Sequence, residues 1–134
     1  MSTAIEHDTN WMLDEVLRVP HVQHAILVTS DGLLHSSRGD LPRDQADSLA
    51  AAVSGLVSLA KNCERTLRAD AGQWWQGLDE YPWGYLLRVA AAQNTVLAVI
   101  ADREVDMETL SVRIQQVVQR LGQAMTSTAR GLRS

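Results

Sequence analysis

Apolar residues first recur with a helical period between Thr9 and Val19, where Met12, Leu13, Val16 and Leu17 share one face. Asp8 or Thr9 can cap that helix. Pro20 ends it, because proline lacks a donor and disfavours helix in the residue before it. An apolar run from His24 to Ser30 predicts a strand. Asp31-Gly32 supplies the positive-φ pair of a two-residue hairpin turn, and Leu33 to Ser37 returns. Gly39-Asp40-Leu41-Pro42 opens a long helix to about Leu67, with Asp40 or Leu41 near the cap and Pro42 in the first turn. Its apolar stripe reads Leu49, Val53, Leu56, Ala60, Cys63 and Leu67 at spacings of three and four.

The second half of the chain changes period. Asp70-Ala71-Gly72 interrupts the pattern, and Gln73 to Leu78 reads as a strand carrying Trp74 and Trp75. Asp79-Glu80-Tyr81-Pro82 turns the chain into a strand from Trp83 to Ala91. After a turn at Gln93-Asn94 comes Thr95 to Ala101, apolar almost throughout and therefore central in its sheet. Asp102 to Asp106 leads into a last helix with Met107, Leu110, Ile114, Val117, Val118, Leu121 and Met125 on one side. The order is α-β-β-α-β-β-β-α. It predicts an α/β (α+β) domain: a single five-stranded, mostly antiparallel sheet with helices on both faces. Residues 1–8 are expected to be a flexible N-terminus, 9–125 the domain, and 126–134 a polar, frayed tail.

Composition narrows the function. The 134 residues are 46% hydrophobic and 21% charged, enough for a folded core without metal or disulfide support. The net charge of −4 comes with no basic cluster, which argues against nucleic acid as a partner. The lone Cys63 permits no intramolecular disulfide and no cysteine-based metal site, in keeping with a reducing cytoplasm. Met1 to Asn10 has no basic or apolar leader pattern, and no apolar run is long enough to insert in a membrane.

Candidate chemistry is sparse. Of the four histidines, only His24 and His35 could meet, across the first hairpin; two half-exposed strand residues are the plainer reading. Ser36-Ser37 and Ser54-Gly55 lack the elbow of a hydrolase nucleophile. No glycine pattern cradles phosphate. Asp14 and Glu15 diverge on their helix, while Asp102, Glu104, Asp106 and Glu108 offset the positive end of the last helix. Cys63 reads as a small core residue. No catalytic residue, cofactor or metal is expected. Trp74 and Trp75 must point to opposite faces of a strand, so one enters the core and the other meets solvent or a partner; that both lie under helices carries nearly equal weight.

Several segments together resemble the roadblock (dynein light chain) family. They are Leu17-Arg18-Val19-Pro20-His21-Val22, Ala25-Ile26-Leu27-Val28-Thr29-Ser30-Asp31-Gly32-Leu33-Leu34, Ala46-Asp47-Ser48-Leu49-Ala50-Ala51-Ala52-Val53-Ser54-Gly55-Leu56, Gly84-Tyr85-Leu86-Leu87 and Leu97-Ala98-Val99-Ile100-Ala101. No one of these is specific, but their order is. The resemblance is to the bacterial branch found in actinobacterial clusters beside a sensor-kinase-like protein and a small Ras-like GTPase, and to gliding-motility polarity regulators. Gln93-Asn94-Thr95 stands where such relatives often carry a glycine-rich turn; asparagine tolerates the same conformation.

The resemblance implies a non-enzymatic regulator that forms homodimers, binds a small Ras-like GTPase in the cytoplasm, and reaches a membrane only through partners. The chain break at Asp70 to Gly72 puts the strand near residues 73–78 at the sheet edge, and in the family such edges pair into one continuous sheet across the dimer. If the apolar stripe of the middle helix faces the sheet, the opposite side holds Asp47, Ala51, Ser54, Ser58, Lys61, Asn62 and Arg65 as the partner-binding face. Ser48, Gly55, Leu59, Trp74 and Trp75 are then the dimer contacts. Two other readings stand beside this one: a small-molecule-sensing α/β domain, which needs a cleft with convergent polar groups, and a hydrolase, which the motif search disfavours.

Overall fold

A strand gains from apolar side chains on both faces only when both faces are covered, so the two most continuously apolar strands belong at the centre. They are β1 (Val22–Val28) and β5 (Val96–Asp102), which pair with each other. In a computed structural model, residues 3–68, 70 and 73–133 are described, with side chains from 9 to 124 among them. The remaining elements are α1 (Thr3–Leu17), β2 (Leu34–Gly39), α2 (Arg43–Leu67), β3 (Gln76–Tyr81), β4 (Gly84–Ala90) and α3 (Met107–Arg133). A 3-10 turn at Ala92–Asn94 precedes β5. The sheet order is β2-β1-β5-β4-β3, and all four pairings are antiparallel.

Period-two alternation divides the sheet into two cores. On one face Ala25, Leu27, Leu87, Val89, Leu97 and Val99 pack against Leu13 and Val16 of α1 and Leu110, Ile114, Val117 and Leu121 of α3. On the other, Ile26, Val28, Leu86, Val96 and Ala98 pack against Ala46, Ala50, Val53 and Val57 of α2. The expected order of elements, the central last strand and the edge position of β3 are all present.

Boundaries differ where local signals competed. α1 begins at Thr3, before the caps expected at Asp8 or Thr9. The first hairpin is not closed by a two-residue turn. Gly32 does adopt a positive φ of 85°, but the loop spans residues 29–33, with Thr29 N–H donating to Leu33 O, and the register shifts at Leu27/Val28. Pro42 occupies the N-cap position of α2, one residue outside the helix. The strand expected at 73–78 lies at 76–81, so the two tryptophans precede it and the turn falls at Pro82-Trp83. The break at Asp70-Ala71-Gly72 lies mostly outside the described residues, which include only Asp70 of the three. Gln93 and Asn94 take positive φ values of 56° and 62°, as the turn there requires. α3 runs on to Arg133, past the expected end of the domain, and the Met125 side chain lies outside those described.

The larger correction concerns α2. Of the stripe expected to face the sheet, only Val53 is fully buried; Leu49 and Ala60 are half-buried, and Leu56, Cys63 and Leu67 are exposed. The buried line is Ala46, Ala50, Val53 and Val57. Small side chains allow the helix to lie close on the sheet, and the bulkier leucines are turned aside.

Candidate functional site

Both flanks of α2 can be placed by what they touch. Ser54 lies against the first hairpin, its Cβ and Oγ 3.5 Å from where a Cβ on Gly32 would sit. Leu49 instead faces a groove between α2 and the β3–β4 hairpin. At 100° per residue, Leu56, Ala60, Cys63 and Leu67 share the flank of Leu49. That flank is apolar and largely uncovered: Leu56 is 37% exposed, Leu59 65% and Leu67 78%.

The groove beside it has a volume of about 740 Å³. Its apolar lining is Leu41, Leu49, Leu86 and Ile100, and its far wall is the aromatic pair Tyr81 and Trp83. The two rings stack with centroids 5.1 Å apart and planes 5° from parallel. Gln23, Asp44, Gln45 and Ser48 supply its polar positions. Arg103 braces the hairpin from behind by donating to Tyr81 O and the Glu80 carboxylate. Sequence reasoning missed Tyr81 and Trp83, although two large aromatics flanking Pro82 at a tight turn were a usable signal.

Next to the groove, β3 forms one edge of the sheet. Leu78 on it is 50% exposed and Trp75 just before it is 70% exposed. Trp74 is half-buried and packs into the α2 core. The tryptophan pair thus divides between core and surface.

The expected partner-binding residues fall together but not opposite the sheet. Asp47, Ala51, Ser58, Lys61, Asn62 and Arg65 are exposed, and with half-buried Ser54 they form the α2 flank nearer the first hairpin. Asp47 accepts from Arg43, and Asn62 accepts from Arg65. Of the expected dimer contacts, Ser48, Gly55, Leu59 and Trp75 are exposed, and Trp74 is not.

Groups considered for chemistry are engaged structurally. His24 is buried, not half-exposed as expected; it pairs in register with Gly39 and bonds Ser37 Oγ at 2.7 Å, away from His35, which bonds Ser36 Oγ. Burial pushes the His24 pKa below its usual value, with Asp40 pulling the other way. Asp14 accepts two bonds from Arg38, and Glu15 pairs with Arg120, whose guanidinium also stacks on Trp11. Asp106 caps α3 by accepting from the N–H groups of Glu108 and Thr109 and from the Thr109 hydroxyl. These bonds, the hydroxyl's first, hold its carboxyl below the usual range. Cys63 is exposed, which corrects its expected place in the core. Among the described residues no cluster of three His, Cys, Asp or Glu side chains could hold a metal, and no helix is long and apolar enough to cross a membrane.

The profile of the Roadblock/LC7 domain matches residues 9–101. A Roadblock/LC7 domain from Streptomyces avermitilis is similar in structure, with 34% identity, coverage of 87% of this chain and 97% of that one, and a TM-score of 0.79. MglB from Myxococcus xanthus shares 21% identity over 90% of this chain and 96% of its own, with a TM-score of 0.82. The gliding protein MglB from Thermus thermophilus shares 16% over 92% and 93%, with a TM-score of 0.80. The last two likenesses establish the fold. No curated protein matches the chain.

Proposed function

The chain belongs to the Roadblock/LC7 family, and from that premise we propose that it is a non-catalytic regulatory scaffold that pairs with a second copy of itself and docks a small Ras-like GTPase. One observation carries the reading: the apolar flank of α2 at Leu56, Leu59 and Leu67 is uncovered beside an open sheet edge. Exposed apolar area of that extent on a small domain marks an interaction surface. A two-fold antiparallel pairing of β3 edges satisfies both edges at once and brings the two α2 helices onto the same face of a joined sheet.

Net charge changes sign along α2, which suits an antiparallel helix pair. Arg43, Asp44 and Asp47 leave one net negative charge in its first half, and Lys61, Glu64 and Arg65 leave one net positive charge in its second. Reversing one helix against the other sets the first half beside the second. The dimer contacts expected from sequence then shift within α2, from Ser48 and Gly55 toward Leu49 and Leu56, with Leu59 retained on the helix and Trp75 at the edge.

The GTPase is assigned to the polar strip of Asp47, Ala51, Ser58, Lys61, Asn62 and Arg65. That strip is poor in large apolar groups, as transient contacts often are. A partner lying across the two-fold axis would bind once per dimer. Regulation would act by positioning the partner's own residues. The test is light scattering of the chain alone, followed by titration with the source organism's small Ras-like GTPases loaded with GDP or a GTP analogue. A dimer that binds one such GTPase supports the reading; a monomer at micromolar concentration, or a dimer that binds none in either state, overturns it.

The groove favours one second reading. Its volume of about 740 Å³ and mixed apolar, aromatic and polar walls suit a small organic ligand. A metabolite thermal-shift screen that stabilises the chain without changing its mass would support a sensor instead.

A further inference from the structure

α2 begins without a side-chain cap: Pro42 stands at the N-cap position and makes no side-chain hydrogen bond to the helix. The connection in front of it is held by the Asp40 N–H, which donates to Gln23 O at 3.3 Å, and by a ring from the sheet below. His24, on β1, has a side chain only 2% exposed. Its Nδ1 accepts the backbone N–H of Leu41 at 3.0 Å. An accepting Nδ1 places the proton of the neutral ring on Nε2, which donates to Ser37 Oγ at 2.7 Å. Gly39 closes over the ring so tightly that a Cβ there would lie 2.5 Å from Nδ1. The carboxylate of Asp40 is 3.9 Å from the same Nδ1, and its side chain is 69% exposed.

These atoms define two alternatives. We propose that His24 is a proton-operated latch on the N-terminal end of α2: neutral, it holds the Leu41 N–H; protonated at Nδ1, it gives up that backbone donor and takes the Asp40 carboxylate. The exchange is forced by hydrogen-bond polarity. A proton taken from solvent onto Nδ1 turns the acceptor into a donor, and two N–H groups then face each other at bonding distance. Asp40 precedes Leu41 directly, so a small rotation of the connection replaces one partner by the other. Ser37 Oγ accepts from Nε2 in both states.

The charged surroundings of the ring are few. Asp40 is the charged group acting on it, from the β2–α2 connection. β2 presents Ser37 and Gly39, and β5 presents Ile100 in register with it. At the start of α2, Arg43 is paired with Asp47, and Asp44 lines the groove with Gln23 and Leu41. Burial favours the neutral ring more than Asp40 favours the charged one, so the folded-state pKa lies below 6.5. The unfolded chain therefore takes up the proton first. The latch is shut above pH 6.5, and the stability it contributes is lost as pH falls through the folded-state value.

Leu41, Asp44 and Gln45 all line the groove, so opening the latch reshapes it. That consequence for docking rests on the scaffold reading above; the latch itself does not, and it is tested without any partner. The experiment is NMR of the full chain from pH 8 to pH 4, following the His24 ring nitrogens and the amide protection of Leu41 and Leu27. The expected result is the Nε2–H tautomer at pH 8 and a His24 midpoint below 6.5. Leu41 protection should fall about tenfold per pH unit as pH drops toward that midpoint and level off below it, while Leu27 in the sheet centre stays protected. Asp40→Asn removes the charge that raises the midpoint, and should shift it lower. An Nδ1–H tautomer, Leu41 protection indifferent to His24 titration, Leu27 lost together with Leu41, or an unchanged midpoint in Asp40→Asn would each overturn the latch.

Discussion

The guanidinium of Arg88 lies over Gly77, its register partner on β3, so closely that a Cβ at position 77 would come within 2.6 Å of Nη2. From there Nη1 donates to Asp79 at 2.6 Å, while Nε is buried with no partner among the described residues. The missing side chain of Gly77 thus makes room for a buried cation beside the edge strand. Gly77→Ala should displace the guanidinium from Asp79 and lower stability by roughly 1–2 kcal/mol. Arg88→Met, which removes both the charge and the orphaned donor, should be nearly neutral. Gly84→Ala is the contrast: its Cβ would meet the backbone oxygen of Ala101 at 2.1 Å, and rigid backbone cannot yield as an arginine tip can. Urea unfolding of the three variants should therefore rank Gly84→Ala worst by a wide margin. Equal losses for Gly77→Ala and Arg88→Met would count against this account.

Asp106 anchors the start of α3, so Asp106→Ala should lower Tm by about a few degrees, in line with a lost helix cap. Asp106→Asn should recover most of that loss, since an amide oxygen still accepts. Because the folded-state carboxyl titrates below 3.8, its contribution is present above that pH and is lost as pH falls through the lower, folded value. Scanning calorimetry between pH 3 and pH 7 should show the difference between native and Asp106→Ala chains shrinking only at the acid end.

Leu59 is 65% exposed on the apolar flank of α2. Leu59→Glu places a charge in the proposed seam between two copies. With a chain mass of 14.8 kDa, light scattering should fall from about twice that value to the single-chain value. The circular dichroism spectrum should stay native, since Leu59 supports no core contact within its own chain. A dimer that survives both Leu59→Glu and Leu56→Asp would move the interface elsewhere.

On the polar strip, Ser58→Glu and Arg65→Glu should each weaken GTPase binding by about tenfold or more while leaving the dimer mass unchanged. Trp75→Ala should affect dimerisation first. Arg38, Arg43 and Arg65 test the manner of regulation: an inserted arginine supplies about a thousandfold or more in hydrolysis. Arg38 is bound to Asp14 and Arg43 to Asp47. Single alanine replacements of the three should leave any stimulation within about threefold once binding is saturated; a near-total loss for one of them would identify a finger.

Much of the fold was legible because its signals are local. Pro20 bars any continuation of α1, which stops at Leu17, two residues short of the expected Val19, and the apolar run of β5 marks a strand covered on both faces. The order of elements followed from the changes of period. Boundaries drifted where two local signals conflicted. Asp31-Gly32 reads as a two-residue turn, yet Thr29 closes a longer loop by bonding Leu33. The tryptophans at 74 and 75 look like strand residues, yet the ladder with β4 begins at Gln76, and Trp75 adds only its carbonyl, which accepts from the Ala90 N–H. The burial of His24 is not legible locally, because nothing in its neighbours announces that Gly39 and Leu41, well over ten residues further along the chain, will close over it.

The sequence by itself determined that α2 carries apolar residues around much of its circumference. Only the tertiary structure decided which of them the sheet receives. Ala46, Ala50, Val53 and Val57 are buried, and Leu49, Leu56, Leu59 and Leu67 are left at the side or outside. Periodicity measures how apolar a face is, and by that measure the leucine flank looked the better candidate for the core. Packing also depends on how near two backbones can come, and a line of small side chains lets a helix settle on a sheet where leucines would hold it off. The face that looked most like core is therefore the one left free to meet another molecule.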